Sequence, residues 1–521
     1  MGFATSGFFD DPFLAEVMRG IDSEEEGCNF FHSNSSTGIA KDQPYFDYGS
    51  FYDHENLRFK LSQFRLDFSW KSESLWFEMY YYFDRTIDRC FIRPTLSRNE
   101  VVELYSLISA FFRSVITTRN IKIIFFRDTP HFFYDICLFT VAKDIGIKVV
   151  IFHKTLLDGI LVATDDFRVN HGNYYCLARE QFPVSSDQIN RSSMLEFGAK
   201  LTVDPKSVFL MSKGPIWDTI RRLMHGQEKH YLVSLLLNIF RLIVKGQIGP
   251  SYLRLDRRAI WFFATAIIQR AKIRRDLERP RLLDKLNSRD IVCLFLQYQP
   301  ERSTDPEGGR FSHQANLVAQ VREAIPPSSV LLVKEHPRQT LDLANLREWF
   351  FRKPSDYDYI ENFKDTFLVG PNVESSKLLE MAKVVVTTTG SIAWEAIMAD
   401  KPCITFGLTW HSLCEASFVC PEPGQLPNVI TEAVQQDPGF VRRARKKFLV
   451  RIGEELGFYG CQRAHEVKWL DDQLGCDGGS VTLMRQNIVS FLNDFGVYIP
   501  AQFTKAHGLM VMLPNGSEVE A

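Results

Sequence analysis

A strand, a hydroxyl-rich turn and a helix follow one another in the stretch Val384–Phe406, which reads VVVTTTGSIAWEAIMADKPCITF. The three consecutive valines are typical of a buried strand, and a helical pattern begins at Ile392 after the turn. The first N–H groups of a helix are unpaired and carry the positive end of the helix dipole, so this arrangement favours a bound phosphate. The residues that we predict to hold the phosphate are Thr388, Thr389, Gly390 and Ser391.

Glu395 lies one helical turn beyond this phosphate turn. A carboxylate at that position can accept hydrogen bonds from two ribose hydroxyls, so we predict that Glu395 binds the ribose of a nucleotide. The alternative interpretation is a βαβ turn whose hydroxyls only cap the helix. A motif this short does not decide between the two.

A second strand ends in polar residues at Leu331–Pro337, which reads LLVKEHP. Ligands of open α/β sheets bind outside the carboxyl ends of the strands. His336 at such an end can donate to a phosphate oxygen, and Pro337 would fix the turn that aims it. The alternative interpretation is a capping histidine beside an exposed lysine. The cationic or donor side chains that we predict to neutralise the phosphates are Lys334, His336 and Arg338.

The pair His336-Pro337, followed by hydroxyl residues at the head of a helix, resembles a motif of the capsule polysaccharide biosynthesis glycosyltransferases. These enzymes are relatives of bacterial Kdo transferases and sialyltransferases. The family also has a strand that ends in a Gln-Pro-Glu loop, and here Phe295–Gly309 reads FLQYQPERSTDPEGG. The resemblance extends over residues 290–410 and implies that Gln299 and Glu301 belong to the same nucleotide-sugar site.

A second resemblance concerns the order Gly390, Glu395-Ala396 and Pro402, which is similar to the nucleotide-binding signature of GT-B enzymes. Asp400 stands where that signature often has glycine. The resemblance implies an α/β protein of GT-B architecture, with two Rossmann-like domains that face a cleft and a helical insertion or linker. GT-B enzymes generally bind no metal in the nucleotide half, and no DxD triad ends a strand there, so we expect neither a metal nor another cofactor.

The N-terminal half carries the second Rossmann-like pattern that a GT-B fold requires. Ile121–Phe126 is predicted as a strand, His131–Ile145 as a helix and Lys148–Phe152 as the next strand, which together form a parallel βαβ unit. An inverting transferase needs a side chain that accepts the proton of the acceptor hydroxyl. Strand-end loops of this half therefore supply the candidates for the catalytic base.

Asp158 is the first of these candidates because Asp158-Gly159 resembles the acidic residue before a glycine in sialyltransferases and Kdo transferases. Leu157 replaces the acid that usually precedes it. The alternative interpretation is a turn residue, since Asp-Gly is common at bends. His131 is the second candidate and Asp165 the third, and the alternative role of His131 is helix capping or acceptor binding.

Changes of pattern along the chain divide it into five segments. Residues 1–50 are predicted as an irregular arm, and 51–285 as an N-terminal Rossmann-like acceptor domain with a helical basic segment at 216–285. Residues 286–480 are predicted as the nucleotide-sugar-binding domain, 481–503 as a helix that crosses back to the first domain, and 504–521 as a flexible tail.

Composition is that of a globular protein, with 45% hydrophobic residues and a net charge of −2, so nothing favours nucleic acid as a partner. The cysteines have no zinc spacing, and Cys137, Cys293 and Cys403 lie in apolar runs that predict burial. The N-terminus lacks the pattern of a signal peptide, and we expect a cytoplasmic protein. Residues 241–285 hold twelve Lys/Arg against four Asp/Glu and predict either a peripheral membrane contact at the inner face or a solvated helical face.

The sequence therefore predicts an inverting, metal-independent glycosyltransferase. Its donor would be a nucleotide-sugar and its acceptor a growing capsular or other surface glycan, free or lipid-linked. A CDP-alditol phosphotransferase or a sugar-nucleotide epimerase on the same scaffold is the first alternative. A non-catalytic nucleotide-binding scaffold protein of polysaccharide assembly is the second.

Overall fold

The structure is a computed structural model. It describes residues 2–6, 51, 54–62, 64–90, 96–157, 160–177, 286, 289–299, 301–337, 339, 351–370, 373–452, 456, 458–459, 496–500, 510–512 and 518–520. The predicted base Asp158, the cation Arg338 and the basic segment 216–285 lie outside these residues.

The first unit contains a mixed sheet. Its strands are β1 (Gly2–Ser6), β2 (Ile121–Phe126), β3 (Lys148–Lys154), β4 (Ile160–Thr164), β5 (Asn173–Leu177) and β13 (Gly496–Pro500), in the order β1-β2-β3-β4-β5-β13. The first three strands are parallel and the others antiparallel to their neighbours, while the short strand β12 (Phe458–Tyr459) also pairs with β4. The predicted βαβ unit is confirmed by β2, a helix and β3, but the strands from β4 onward pair antiparallel.

Four described helices cover this sheet. They are α1 (His54–Leu61), α2 (Glu73–Cys90), α3 (Arg98–Thr118) and α4 (Phe133–Ile145). Helix α3 begins in a capping box, in which Ser97 accepts from the N–H of Glu100 and the Glu100 carboxylate accepts from the N–H of Ser97. It is the one described helix long and apolar enough to cross a membrane, and here Leu104, Ile108 and Phe112 are fully buried in the core of the first unit.

The second unit is a wholly parallel sheet. Its strands are β6 (Ile291–Phe295), β7 (Val330–Lys334), β8 (Thr366–Val369), β9 (Val384–Thr387), β10 (Cys403–Thr405) and β11 (Ser417–Val419). The spatial order is β11-β10-β9-β6-β7-β8. Numbered from its own first strand and taken in reverse, this order is 3-2-1-4-5-6, which is that of the Rossmann fold. The α/β class and the two-sheet organisation that the sequence predicts are confirmed.

Helices pack on both faces of the second sheet because its strands are mostly apolar and buried on both faces. The helices are α5 (Gln314–Ala324), α6 (Pro354–Glu361), α7 (Ser375–Met381), α8 (Ile392–Met398), α9 (Leu426–Val434) and α10 (Pro438–Arg451). Along β6, Cys293 faces the cluster with α7, α8 and α10, whereas Val292 and Leu294 face the cluster with α5, α6 and α9. Cys137, Cys293 and Cys403 are buried, as predicted.

The two units share part of their core. Leu157, Val162 and Tyr174 of the first unit pack in one cluster with Leu408 and Trp410 of the second. The Tyr174 hydroxyl also donates to the carbonyl of Thr409. The interface between the units is therefore a packed contact on this side and not an open cleft.

The chain ends differ from their predictions in three places. Residues 2–6 of the predicted irregular arm form the edge strand β1, which pairs in parallel with β2. Within the predicted flexible tail, β14 (Met510–Met512) and β15 (Glu518–Glu520) form an antiparallel pair. Residues 496–500 of the predicted crossing helix 481–503 form instead the strand β13, through which the chain returns to the first unit; residues 481–495 lie outside the described residues.

Candidate functional site

The strand order of the second sheet reverses between β6 and β9. From β6 the chain continues to β7 and β8 on one side, and it then returns to β9, β10 and β11 on the other. Crevices form outside the carboxyl ends of strands at such a switch point, because the two connections leave in opposite directions. The residues that follow β6 and β9 are therefore in position to border a ligand site.

Gln297 joins the two sides of this switch point. Its side-chain carbonyl accepts from the N–H of Thr389 at 3.2 Å, and its amide nitrogen lies 3.5 Å from the Thr389 hydroxyl. Its backbone is held by Gln314 at the start of α5, at 2.6 and 2.9 Å. A methyl group on Gly390 would lie 2.9 Å from Thr387 Oγ1 and 3.0 Å from Gln297 Nε2, so this position needs a residue without a side chain.

The threonines of the predicted phosphate turn point inward. Thr387 donates to the carbonyl of Phe295 at 3.1 Å, and Thr389 donates to the carbonyl of Ser303. The Thr388 hydroxyl is buried and has no partner among the described residues. Thr388 is 1% and Thr389 9% exposed, because the loop after β6 packs over them. The hydroxyls of Thr387 and Thr389 therefore fix the loop, a role that the sequence prediction did not include.

The surface of this turn is formed by Gly390, Ser391 and Glu395. Ser391 is exposed and the other two are partly exposed. Burial raises the pKa of the Glu395 carboxyl, and a hydrogen bond with the Ser391 side chain opposes that shift. Helix α8 has only seven residues, so its dipole is small. The groups at this edge that can contact a ligand are the Ser391 hydroxyl, the Gly390 backbone and the Glu395 carboxylate.

His336 lies on the other side of β6, after β7. Its ring packs against that of Tyr298, with 5.6 Å between the centroids and 45° between the planes. Its N–H donates to Glu335 Oε1 at 2.7 Å, and its carbonyl accepts from the N–H of Gln339 at 3.0 Å. His336 and Pro337 are partly exposed, so the predicted histidine reaches the surface of the same strand edge.

Lys334 does not reach that surface. It is 4% exposed, and its ammonium donates to the carbonyls of Val373 at 2.6 Å and Gly370 at 3.5 Å. Burial lowers its pKa to about 8, and the charge of Glu335 opposes that shift. Its position supports the loop after β8.

Gln299 is also buried. It holds Gln339 and Ser312 through its backbone and side-chain nitrogens at 2.8 and 3.1 Å, and its side-chain oxygen accepts from Arg352 at 3.0 Å. Glu301 is partly exposed, and its carbonyl accepts from the N–H groups of Thr304 and Asp305. The loop that the sequence singles out is therefore ordered from within.

Side chains of the first unit hold the same loop from outside. Arg85 binds Asp305 through two bonds of 3.0 and 3.2 Å, and the Thr129 hydroxyl donates to Glu307 at 2.7 Å. Arg302 contacts Asp128 as well as Glu307, the latter at 3.0 Å. A methyl group on Gly407 would lie 2.4 Å from the carbonyl of Glu307, so this loop packs directly on the strand edge.

A cavity of about 190 Å³ lies between the two units beside this loop. Helix α2 and the β4–β5 connection form one wall, and the loop after β6 and the ends of β10 and β11 form the other. Its lining combines charged groups with aromatic rings: Glu78, Tyr82, Arg168, Val169, Asn170, His171, Glu307, Gly308, Gly309, Arg310, Phe311, Phe406 and Pro421. Part of the aromatic run that the sequence shows at residues 80–82 thus faces this cavity.

Among the base candidates, His131 and Asp165 are described. The His131 Nδ1 lies 2.7 Å from the carbonyl of Thr129, and its ring packs against Phe132. Asp165 accepts from the N–H and side chain of Asn173 at 2.7 and 3.2 Å, and burial raises its pKa. Both therefore have local structural roles.

The sequence prediction missed His153 at the carboxyl end of β3. It is 6% exposed, its Nε2 lies 2.7 Å from the Thr164 hydroxyl, and burial lowers its pKa while the charge of Glu307 opposes this. Its position at a strand end was the available signal. Among the described residues there is no group of three or more His, Cys, Asp or Glu side chains that could hold a metal ion.

Asp400 adopts the conformation that glycine favours. Its φ is 60°, and aspartate is among the residues that tolerate the left-handed region best. Its carboxylate binds Arg442 at 2.9 Å and Arg445 at 3.0 Å. The departure from the GT-B signature at this position is thus compatible with the same backbone.

No protein-family model matches the chain. No curated protein matches it in sequence. Solved structures with similarity include UDP-GlcNAc 2-epimerase from Neisseria meningitidis bound to UDP-GlcNAc, at 11% identity over 87% of this chain and 97% of that chain, with a TM-score of 0.23.

Two further similar structures carry the names of transferases or synthases. The KpsC β-Kdo 2,7 transferase of Thermosulfurimonas dismutans is 12% identical over 65% of this chain and 80% of that chain, with a TM-score of 0.26. The α,α-trehalose 6-phosphate synthase of Burkholderia multivorans is 11% identical over 94% of this chain and 96% of that chain, with a TM-score of 0.30. These scores are too low to establish a common fold, so the fold assignment rests on strand order and direction, and membership of the capsule family stays a prediction.

Proposed function

We propose that the chain is a glycosyltransferase whose sugar nucleotide binds at the carboxyl edge of the second sheet. The observation that carries this proposal is the switch point between β6 and β9, where Gln297, Thr389 and Gly390 meet. His336 lies on the neighbouring strand end, so a donor to a phosphate oxygen stands beside the crevice.

Each surface residue has a chemical role in this proposal. Gly390 and Ser391 bind the phosphate nearest β9, His336 donates to a phosphate oxygen of the leaving nucleotide, and Glu395 accepts the ribose hydroxyls. Arg338, two positions after His336 in the sequence, is proposed to add positive charge. Thr389, Gln299 and Lys334 act beneath the surface by holding the loops around the nucleotide, and Thr388 is buried beneath the same loops.

The proposed reaction is inverting transfer to a hydroxyl of a glycan acceptor, free or lipid-linked, in the synthesis of a surface polysaccharide. The first unit supplies the base, with Asp158 as the first candidate and His131 as the second. Positive charge on the protein neutralises the leaving nucleotide, so neither a metal nor an organic cofactor takes part. The protein acts in the cytoplasm or at the inner face of the membrane, where its acceptor would be found.

Nucleotide titration of the full chain tests the proposal. Melting temperatures are measured with UDP, GDP, CDP and CMP, because a ligand at about 100 times its Kd stabilises the folded state by about 2.7 kcal/mol. At least one of the four should raise the melting temperature, and His336→Ala should reduce that rise. No rise with any of them contradicts the proposal. Radiolabelled donor of the nucleotide that binds then separates transfer to an acceptor from epimerisation of the sugar.

A further inference from the structure

A buried ion pair joins the loops after β6 and β7 beneath the proposed nucleotide site. Arg352 Nε lies 2.9 Å from Glu335 Oε2, and the two side chains are 5% and 0% exposed. Arg352 also donates through Nη1 to the side chain of Gln299 at 3.0 Å and through Nη2 to the carbonyl of Gln297 at 3.2 Å. One guanidinium thus binds both neighbouring strand ends.

Both oxygens of the Glu335 carboxylate also accept hydrogen bonds from groups other than Arg352. Glu335 Oε2 accepts from the Tyr357 hydroxyl at 2.5 Å, and Oε1 accepts from the N–H of His336 at 2.7 Å. Arg352 Nη2 lies 3.5 Å from the same Oε1. Burial together with the negative charge of Glu335 raises the pKa of Tyr357, so the phenol keeps its proton and remains a donor.

The bonds of this pair end on the loops that form the proposed site. A buried ion pair costs much desolvation, and apolar residues of similar volume often stabilise a fold as well or better. Stability alone therefore explains the pair poorly, whereas its geometry holds the backbone of Gln297 and His336 and the side chain of Gln299 at the switch point. Only the identity of the ligand rests on the proposed function.

We propose that Arg352 is a positioning residue that, through Glu335, Gln297 and Gln299, holds the ends of β6 and β7 in the ligand-binding conformation. It lies seventeen positions after Glu335 in the chain, and among the described residues it contacts the site through these groups. Without it, the loops open, and the apparent affinity falls with the fraction of molecules that remain competent to bind.

The chain offers a matched control for this proposal. Arg113 and Asp144 form an ion pair in the first unit with the same exposed fractions, 5% and 0%. Arg113→Met and Arg352→Met therefore each leave a buried carboxylate without its cation, and both should lower the melting temperature. The double variant Glu335→Gln/Arg352→Met removes both charges, so it should recover melting temperature while still lacking the bonds from Arg352 to the β6 loop.

Hydrogen exchange of the ligand-free full chain gives the first readout. Amides of Gln297, Gln299 and His336 should exchange about tenfold faster in Arg352→Met and in the double variant, and at the wild-type rate in Arg113→Met. Wild-type exchange at these amides in Arg352→Met would overturn the proposal. The proposal would also be overturned if, in the double variant, these amides exchanged at the wild-type rate and the melting temperature recovered. The pair would then only stabilise the fold.

Affinity for UDP, or for whichever of GDP, CDP and CMP binds the wild type best, gives the second readout. It should be about tenfold weaker in Arg352→Met and in the double variant, and unchanged in Arg113→Met. Wild-type affinity in the double variant would also overturn the positioning role. Failure of the wild type to bind any of the four contradicts the proposed function, and hydrogen exchange then decides the positioning role without a ligand.

Discussion

The two sheets of this chain end their strands in polar residues but differ in what those residues face. In the first sheet, parallel pairing stops at β3 because β4 returns antiparallel, and His153 at the end of β3 is closed by the Thr164 hydroxyl of β4. In the second sheet every pair is parallel and the order reverses between β6 and β9. Polar residues of the second sheet therefore border the switch point, while His153 of the first sheet stabilises the pairing of two strands.

The two units also use buried charge differently. Asp144 of the first unit accepts from Arg113 and from the N–H groups of Lys71 and Ser72, which ties a loop to α3 and α4 within one helical layer. Glu335 of the second unit ties two strand ends together beside the crevice. Two equally buried ion pairs thus have different roles: the Arg113–Asp144 pair holds a helical layer together, and the Arg352–Glu335 pair holds two strand ends together.

The largest expected effect separates the two histidines. His336→Ala should lower turnover by about 100-fold, because a donor to the leaving phosphate is worth more in the transition state than in the ground state. For comparison, the turnover of His131→Ala, a variant on the loop after β2 of the first sheet, is measured in the same steady-state assay. Activity of His336→Ala within a few-fold of wild type would make His336 a structural residue and remove the functional difference between the two edges.

The next effect compares two glycines. Gly407→Ala places a methyl group 2.4 Å from the carbonyl of Glu307 and 2.5 Å from Thr389 Cγ2, and should cost about 3 kcal/mol through overpacking. Gly146→Ala meets nothing within 4 Å, and its φ of 88° should cost about 1–2 kcal/mol. Urea unfolding of both variants measures the difference. Equal costs would show that the loop after β6 can move away from the strand edge.

The smallest effect is a pH dependence specific to the second unit. Burial lowers the pKa of Lys334 to about 8, below its value of about 10.4 in an unfolded chain. Between these pH values the unfolded state binds more protons, so the wild type gains stability as pH rises through this range. The melting temperature of the wild type minus that of Lys334→Met should therefore increase from pH 7.5 to pH 10. A constant difference would mean that Lys334 is as solvated as in the unfolded chain.

Local patterns in the sequence predict the strands and helices of both sheets because apolar periodicity depends on neighbours in the chain. The strands at Ile121–Phe126, Val330–Lys334 and Val384–Thr387 are examples. The antiparallel direction of β4 is not predicted, because a strand of five buried residues gives no indication of whether it runs parallel or antiparallel to its neighbour. The strand at Gly2–Ser6 is missed because its short, small-residue segment has no apolar alternation.

The site is predicted to the level of the strand ends and no further. His336 and the turn at 387–391 flank β6 as their motifs imply, but the inward direction of the threonines depends on the loop at 301–308 that packs over them. Arg352 carries no signal in the sequence, because its partners come from two separate strand ends. Contacts of this kind are set by tertiary packing and not by spacing along the chain.

A crystal structure of the full chain soaked with UDP, or with whichever of the four nucleotides binds best, tests the central claim most directly. The claim predicts difference density for the phosphates between His336 and Ser391, at the carboxyl ends of β7 and β9. Density for the nucleotide on the loops after β2 and β3, with the switch point of the second sheet empty, would contradict it.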